Sequence, residues 1–327
     1  MSDQDIPRPE DIVRYEKDPA TKIATITFDR PEHLNSTTIG ARLRYANLLH
    51  RANVDDDVKV LVIRGAGEDF GSGADLPELA ALQARSNDAA LSAELGIEEG
   101  EVTFPPVGSY RANSTLTQWY ADGRSGCRTL ADFKKISIVE VKGYCYGWHF
   151  YQAADADLVV ASDDALFGHP AFRYVGWGPR MWSWAMTMGI RKFQEMVFTG
   201  RPFTAEEMYD CNFVNKVVPR ADLEAETAKF ADACSKSRPT DAVVMQKMFF
   251  SMMKQYQGEY MGSLLTAFLE SMGARVRPDG GDLMLGGDVY AGGLGNAVRA
   301  NDDQFPPDFR LSKRGRAKTA TDGEDAS

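Results

Sequence analysis

Residues 141–171 read VKGYCYGWHFYQAADADLVVASDDALFGHPA. Ile136, Ile138, Val139 and Val141 make a short apolar strand that runs into Gly143. A turn rich in glycine and aromatics follows, Gly143-Tyr144-Cys145-Tyr146-Gly147-Trp148-His149. Phe150 to Ala156 reads as a short helix, Leu158 to Ala161 as a second buried strand, and Phe167-Gly168-His169-Pro170 as a loop. Strand, glycine turn, helix start and strand is how an α/β protein leaves backbone N–H groups free beside a ligand.

The rest of the chain extends this pattern. Ile23 to Phe28 alternates at period two and predicts a strand, and Thr38 to Ala52 predicts a helix. Val58 to Ile63 is a near-continuous apolar run, as expected in a sheet covered on both faces. Residues 86–113 are irregular and acidic and predict a loop or lid, and Ser114 to Lys135 predicts a helix. Thr204-Ala205-Glu206-Glu207 has the form of a capping box. Trp177, Trp182 and Trp184 lie close together, either as core or as the wall of a bulky apolar acyl pocket. Ala242 to Tyr256 and Met261 to Met272 read as helices with too many Met and Phe for one buried face, which predicts burial by another subunit.

The chain has 327 residues, 43% hydrophobic and 26% charged, enough for a large core. Its 47 acidic against 37 basic residues give a net charge of -10, which argues against nucleic acid as a partner. Cys127, Cys145, Cys211 and Cys234 have no CxxC spacing and read as free thiols of a reducing compartment, the cytoplasm. The start of the sequence is polar and acidic, unlike a signal peptide, and no apolar run is long enough to predict a membrane span. No HxH or HExxH spacing predicts a metal, and no GxGxxG or Walker pattern predicts a nucleotide cofactor.

Ordered motifs across roughly residues 20 to 270 resemble the crotonase (enoyl-CoA hydratase/isomerase) superfamily. These are Gly73-Ala74-Asp75-Leu76, the Lys142 to Gly147 turn with Asp157, Phe167 to Pro170, Thr199 to Glu207, and Val214 to Pro219. The resemblance implies an α/β fold, a spiral of ββα repeats with a helical C-terminal trimerisation region, assembled as a homotrimer or a dimer of trimers. The chain divides into four segments: a flexible N-terminus (1–12), a core (13–219) that carries the resemblance, a C-terminal helical region (220–310) and a polar tail (311–327) whose composition predicts disorder.

It also implies an oxyanion hole from the backbone N–H groups of Ala74 and Trp148. Trp148 replaces the usual glycine, so it could instead fill a core. The two glutamates that serve such hydratases as acid and base would fall at Tyr151 and Ala171, where no carboxylate is present. Tyr151, His169 and His149 are then the candidate proton-handling groups, since a phenol can donate and imidazole titrates near neutrality. Each could equally be a core residue. Arg30, His33 and Asn35 match the loop that meets coenzyme A in the family. Lys247 is a further candidate for the CoA of a neighbouring subunit, against the reading of an ordinary surface lysine.

No permanently bound cofactor is implied; CoA enters as part of the substrate. Three activities remain open. The first is addition–elimination or C–C cleavage on a bulky acyl-CoA through a thioester enolate. The second is CoA-independent hydrolysis of a cyclic β-diketone. The third is a non-catalytic role in assembly.

Overall fold

A computed structural model describes residues 7–174, 176–272 and 294–317. Strands β1 (Val13–Asp18), β2 (Ile23–Phe28), β3 (Val60–Gly65), β4 (Ile136–Val141), β6 (Leu158–Ser162) and β9 (Lys216–Val218) form one sheet in the order β1-β2-β3-β4-β6-β9. Only the β1–β2 pair is antiparallel; the other four pairs are parallel. Strands β5 (Tyr144–Tyr146), β7 (Leu166–Gly168) and β8 (Phe203–Thr204) form a second, smaller sheet. Every residue of β4 is buried, because a central parallel strand is covered on both faces.

Short helix α1 (Pro9–Ile12) leads into β1, and α2 (Ile39–Val54) crosses between β2 and β3. Helix α2 buries Tyr45, Leu48 and Leu49 against the sheet, and the Thr38 side chain caps its start. Next come α3 (Leu76–Arg85), α4 (Asn87–Leu95) and α5 (Tyr110–Tyr120). The expected 86–113 loop therefore contains a helix, started by the Ser86 side chain and ended by Gly96 in the left-handed conformation. The expected 114–135 helix is shorter than predicted. It stops at Tyr120, and Asp122, Gly123 and Gly126 carry the chain through turns.

Helix α6 (Trp148–Asp155) follows the glycine turn, and α7 (Met181–Met188), α8 (Ile190–Thr199) and α9 (Ala205–Asp210) follow β7. At α9 both halves of the capping box are made, Glu207 N–H to Thr204 and Thr204 N–H to Glu207. Helix α10 (Leu223–Lys236) buries Leu223 and Ala231 on Val60, Ile138 and Val160. This helix covers one face of the core sheet.

Helices α11 (Thr240–Tyr256) and α12 (Glu259–Ser271) come next, and α12 lies against α5 and α7. Helices α13 (Leu294–Asp302) and α14 (Lys313–Ala317) complete the described chain. Residues 1–6 and 318–327 lie outside the described residues, but Ile12 is core, and buried Leu311 takes the Tyr146 hydroxyl on its carbonyl at 2.7 Å. The Leu311 and Ser312 N–H groups both donate to Asp302. One apolar anchor and satisfied backbone donors are enough to fix this segment. No helix among the described residues is long and apolar enough to cross a membrane.

Candidate functional site

Residues 70–75 run between two partners. Phe70 and Gly71 N–H groups donate to the Lys142 and Tyr144 carbonyls at 2.7 Å each, and Tyr146 N–H returns a bond to Gly71 at 2.9 Å. On the other side Ser72 N–H donates to Leu34, Thr37 N–H to Gly73 and Asp75 N–H to Thr37, all at 2.9 Å. This pairing carries Ala74 to the start of α6. There Gly73 and Gly147 meet so closely that a Cβ on Gly73 would lie 3.2 Å from the Tyr146 carbonyl and 3.4 Å from the Trp148 nitrogen. Gly147 has φ 55 and ψ -122, a conformation open to glycine and strained for other residues.

Trp148 is the first residue of α6, so its N–H has no partner within the helix. Ala74 N–H also donates to no described residue. Two unpaired backbone donors therefore sit beside one glycine crossing. The Trp148 side chain turns away into the core, edge-on to Phe28 and Tyr45. Both readings of Trp148 are compatible in this geometry, because the ring fills the core while the N–H faces the crossing.

His149 is fully buried among Phe28, Phe70 and Trp148. Its Nδ1 accepts the Gly73 N–H at 3.1 Å, and its Nε2 has no partner. Burial pushes its pKa down to about 3, so the ring is neutral at pH 7 and acts as a strut under the 72–73 peptide. His169 Nε2 donates to the Trp177 carbonyl at 3.1 Å. Burial, partly offset by that bond, pushes His169 down to about 4, and its Nδ1 lacks a partner.

Tyr151 packs between the rings of His169 and Trp184 at 5.4 and 4.9 Å, so the structure brings Tyr151 and His169 together. Burial holds its phenol well above the ordinary value, and the charge of Glu270 adds to that. Ala171 sits two residues beyond His169 in a 3-10 turn and contributes no acid or base. Of the three neighbouring tryptophans, Trp184 is wholly core, Trp177 is half-buried, and Trp182 is more than a third exposed.

The expected CoA-contacting residues are less open. Arg30 is buried and ion-paired with Asp75, the cap of α3. Asn35 is buried; it accepts the Arg30 N–H and donates to the Ala66 and Asp69 carbonyls. His33 is exposed. Lys247 lies against both oxygens of Asp157 at 2.7 Å, and burial lowers its pKa.

Two clusters lie beyond the sequence reading. Glu270, on α12, has a buried Oε2 with no hydrogen-bond partner among the described residues, and burial raises its carboxyl to about 7. Arg180, before α7, is buried with Asp155 and Glu259, and Arg128 shares Glu259. A lone charged residue inside an apolar run signals each: Arg180 in Trp177 to Met188, and Glu270 after Leu264 to Leu269.

The enoyl-CoA hydratase/isomerase family matches residues 18–96 and 111–268, and the chain belongs to that family. Over 300 residues it is 28% identical to the mevalonyl-coenzyme A hydratase sidH of Aspergillus fumigatus, covering 90% of this chain and 94% of that one. It is 27% identical over 222 residues to the hydroxycinnamoyl-CoA hydratase-lyase of Pseudomonas fluorescens, covering 66% and 71%. An enoyl-CoA hydratase/isomerase from Xanthobacter autotrophicus Py2 shares the fold, with a TM-score of 0.70 at 24% identity over 90% of this chain and 98% of that one.

Proposed function

We propose that the protein is an acyl-CoA hydratase or lyase that works through a thioester enolate. The observation that carries this reading is the pair of unpartnered N–H groups, Ala74 and Trp148, beside the Gly73–Gly147 crossing. A thioester oxygen that gains charge accepts both. Each such donor contributes about 2.7–4 kcal/mol to the transition state. The relatives named for hydration and hydration–cleavage of acyl-CoA support the substrate class.

The test is CoA binding followed by turnover. A CoA thioester at about a hundred times its Kd should stabilise the fold by about 2.7 kcal/mol, read as a rise in Tm. Crotonyl-CoA should be hydrated at least about a hundredfold more slowly than by a relative with both glutamates, because Tyr151 and Ala171 supply no carboxylate. Absence of any thermal shift, together with cleavage of a cyclic β-diketone without CoA, would overturn this reading.

Assembly belongs to the same proposal. Met245, Met248, Phe249, Phe250, Met252 and Tyr256 of α11 are all exposed in the single chain. Such a surface is more apolar than a soluble monomer ordinarily leaves open. We expect a homotrimer, or a hexamer formed as a dimer of trimers, by light scattering at micromolar concentration; a monomer there would contradict it.

A further inference from the structure

The enolate reading leaves a proton without a carrier. Both histidines near the crossing are neutral, and each already uses one ring nitrogen in a backbone bond. Cys127, pushed up to about 12 by burial, and the Tyr151 and Tyr120 phenols, raised by burial, hold their protons. Arg42 is paired with Glu94 at 3.1 Å.

The field of Glu270 reaches Tyr151 of α6, Tyr120 of α5 and Cys127 of the following turns. A helix more than a hundred residues later in the chain therefore brings a carboxyl near the Tyr151 phenol. The next residue fastens α12 there: Ser271 Oγ lies 3.2 Å from Thr117 Oγ1 of α5. Among the described residues no cation is bonded to Glu270, and its inner oxygen accepts nothing. A buried carboxylate left unsatisfied is costly, and such groups concentrate where chemistry needs them.

We propose that Glu270 is the proton carrier of this site, replacing from α12 the carboxylates absent at Tyr151 and Ala171. The proposal rests on the enolate reading above. In addition to an α,β-unsaturated thioester, the Glu270 carboxylate takes a proton from water as the water oxygen bonds to Cβ. The C=C electron pair moves through Cα to the thioester oxygen, which becomes the enolate held by Ala74 and Trp148. The enolate then collapses, Cα takes the proton from the Glu270 carboxyl, and the carboxylate is restored. Water has added across the double bond. Run on a saturated thioester, the same group removes and returns an α-proton. A carboxyl near pH 7 serves both directions at neutral pH.

Exchange of α-protons isolates this step. Wild type, Glu270→Gln and Glu270→Asp are incubated with butyryl-CoA and with 3-phenylpropionyl-CoA in D2O. Deuterium uptake is read by mass spectrometry and binding by thermal shift. Glu270→Gln should exchange at least about a hundredfold more slowly, with the thermal shift kept, and Glu270→Asp should lose only about tenfold. Wild-type exchange should rise with pH through about 7, and that limb should vanish in Glu270→Gln.

The glutamine variant should fold. A carboxyl raised from 4.5 to about 7 costs stability as pH rises through that window, and glutamine removes the cost. If Glu270→Gln exchanges within about threefold of wild type, Glu270 is not the carrier and the enolate reading survives. If wild type neither binds nor exchanges either thioester, the enolate reading fails and this proposal falls with it.

Discussion

Replacing Gly147 with alanine is expected to cut α-proton exchange of butyryl-CoA by about 10²–10³, the effect of losing one oxyanion donor. The Trp148 N–H is aimed by the peptide that joins it to Gly147. That residue holds φ 55 and ψ -122, and a side chain there costs about 1–3 kcal/mol of strain. The new Cβ would also lie 3.3 Å from Gly73 Cα, tight enough to push the two crossing loops apart. Both effects displace a donor that must sit within a few tenths of an ångström of the oxygen it stabilises. Gly100→Ala separates strain from aim. Gly100 also has positive φ (88), but a Cβ there meets nothing within 4 Å. It should lose stability and keep its exchange rate. An exchange rate within about twofold of wild type in Gly147→Ala, with Tm lowered, would remove the Trp148 N–H from the chemistry.

The parts of the fold that were legible in sequence are those decided locally. β4 is an apolar run closed by Gly143, β2 alternates, and the capping box of α9 makes both of its bonds. The glycine crossing was legible because only glycine tolerates the conformation at Gly147. Helix ends were less so: Leu130 and Phe133 continue an apolar pattern that looks helical, yet both pack into the core from turns beyond Tyr120. Helix α4 was hidden by the Gly and Pro residues that follow it. The site needed more still. His149 could be read as an acid or base from its position, but its bond to Gly73 is set by a loop 76 residues earlier, and its box of rings by Phe70 of that loop and Phe28 of β2. Glu270 stands out by following an apolar run, but where its carboxyl is held depends on how α12 crosses α5.

The start of α12 is fastened to α6 by Arg180, and removal of this arginine should be the most damaging single change to stability. Arg180 gives Nε and Nη2 to Asp155 at 3.0 and 2.6 Å, and Nη1 to Glu259 at 2.9 Å and Ser263 at 2.8 Å. It thus ties the end of α6 to the first turn of α12, while Thr266 adds a bond to the Pro179 carbonyl at 2.9 Å. Arg180→Ala leaves Asp155 buried with no cation bonded to it, and breaking such a pair costs about 3–5 kcal/mol. Arg180→Met keeps volume and should cost nearly as much, because the loss is electrostatic. Arg180→Met with Asp155→Leu should recover part of it, since both charges are then gone.

The pH dependence has a definite sign. Burial acts to raise the Glu259 carboxyl, but the Arg128 hydrogen bond and the Arg180 charge overcome it and hold the group well below its usual value of 4.5. A carboxyl with a depressed folded pKa stabilises the fold above its unfolded pKa, and that stability is lost as pH falls below about 4.5. The gap between wild type and Arg180→Ala should therefore be full at pH 7 and narrow below pH 4.5. Urea denaturation at pH 7 and pH 3.5 measures the full gap and the onset of its narrowing. A difference under about 1 kcal/mol at pH 7 would mean that Arg180 is no more than a surface-like pair. A large difference with unchanged m would instead place the fastening of α12, and with it the position of Glu270, on this one guanidinium.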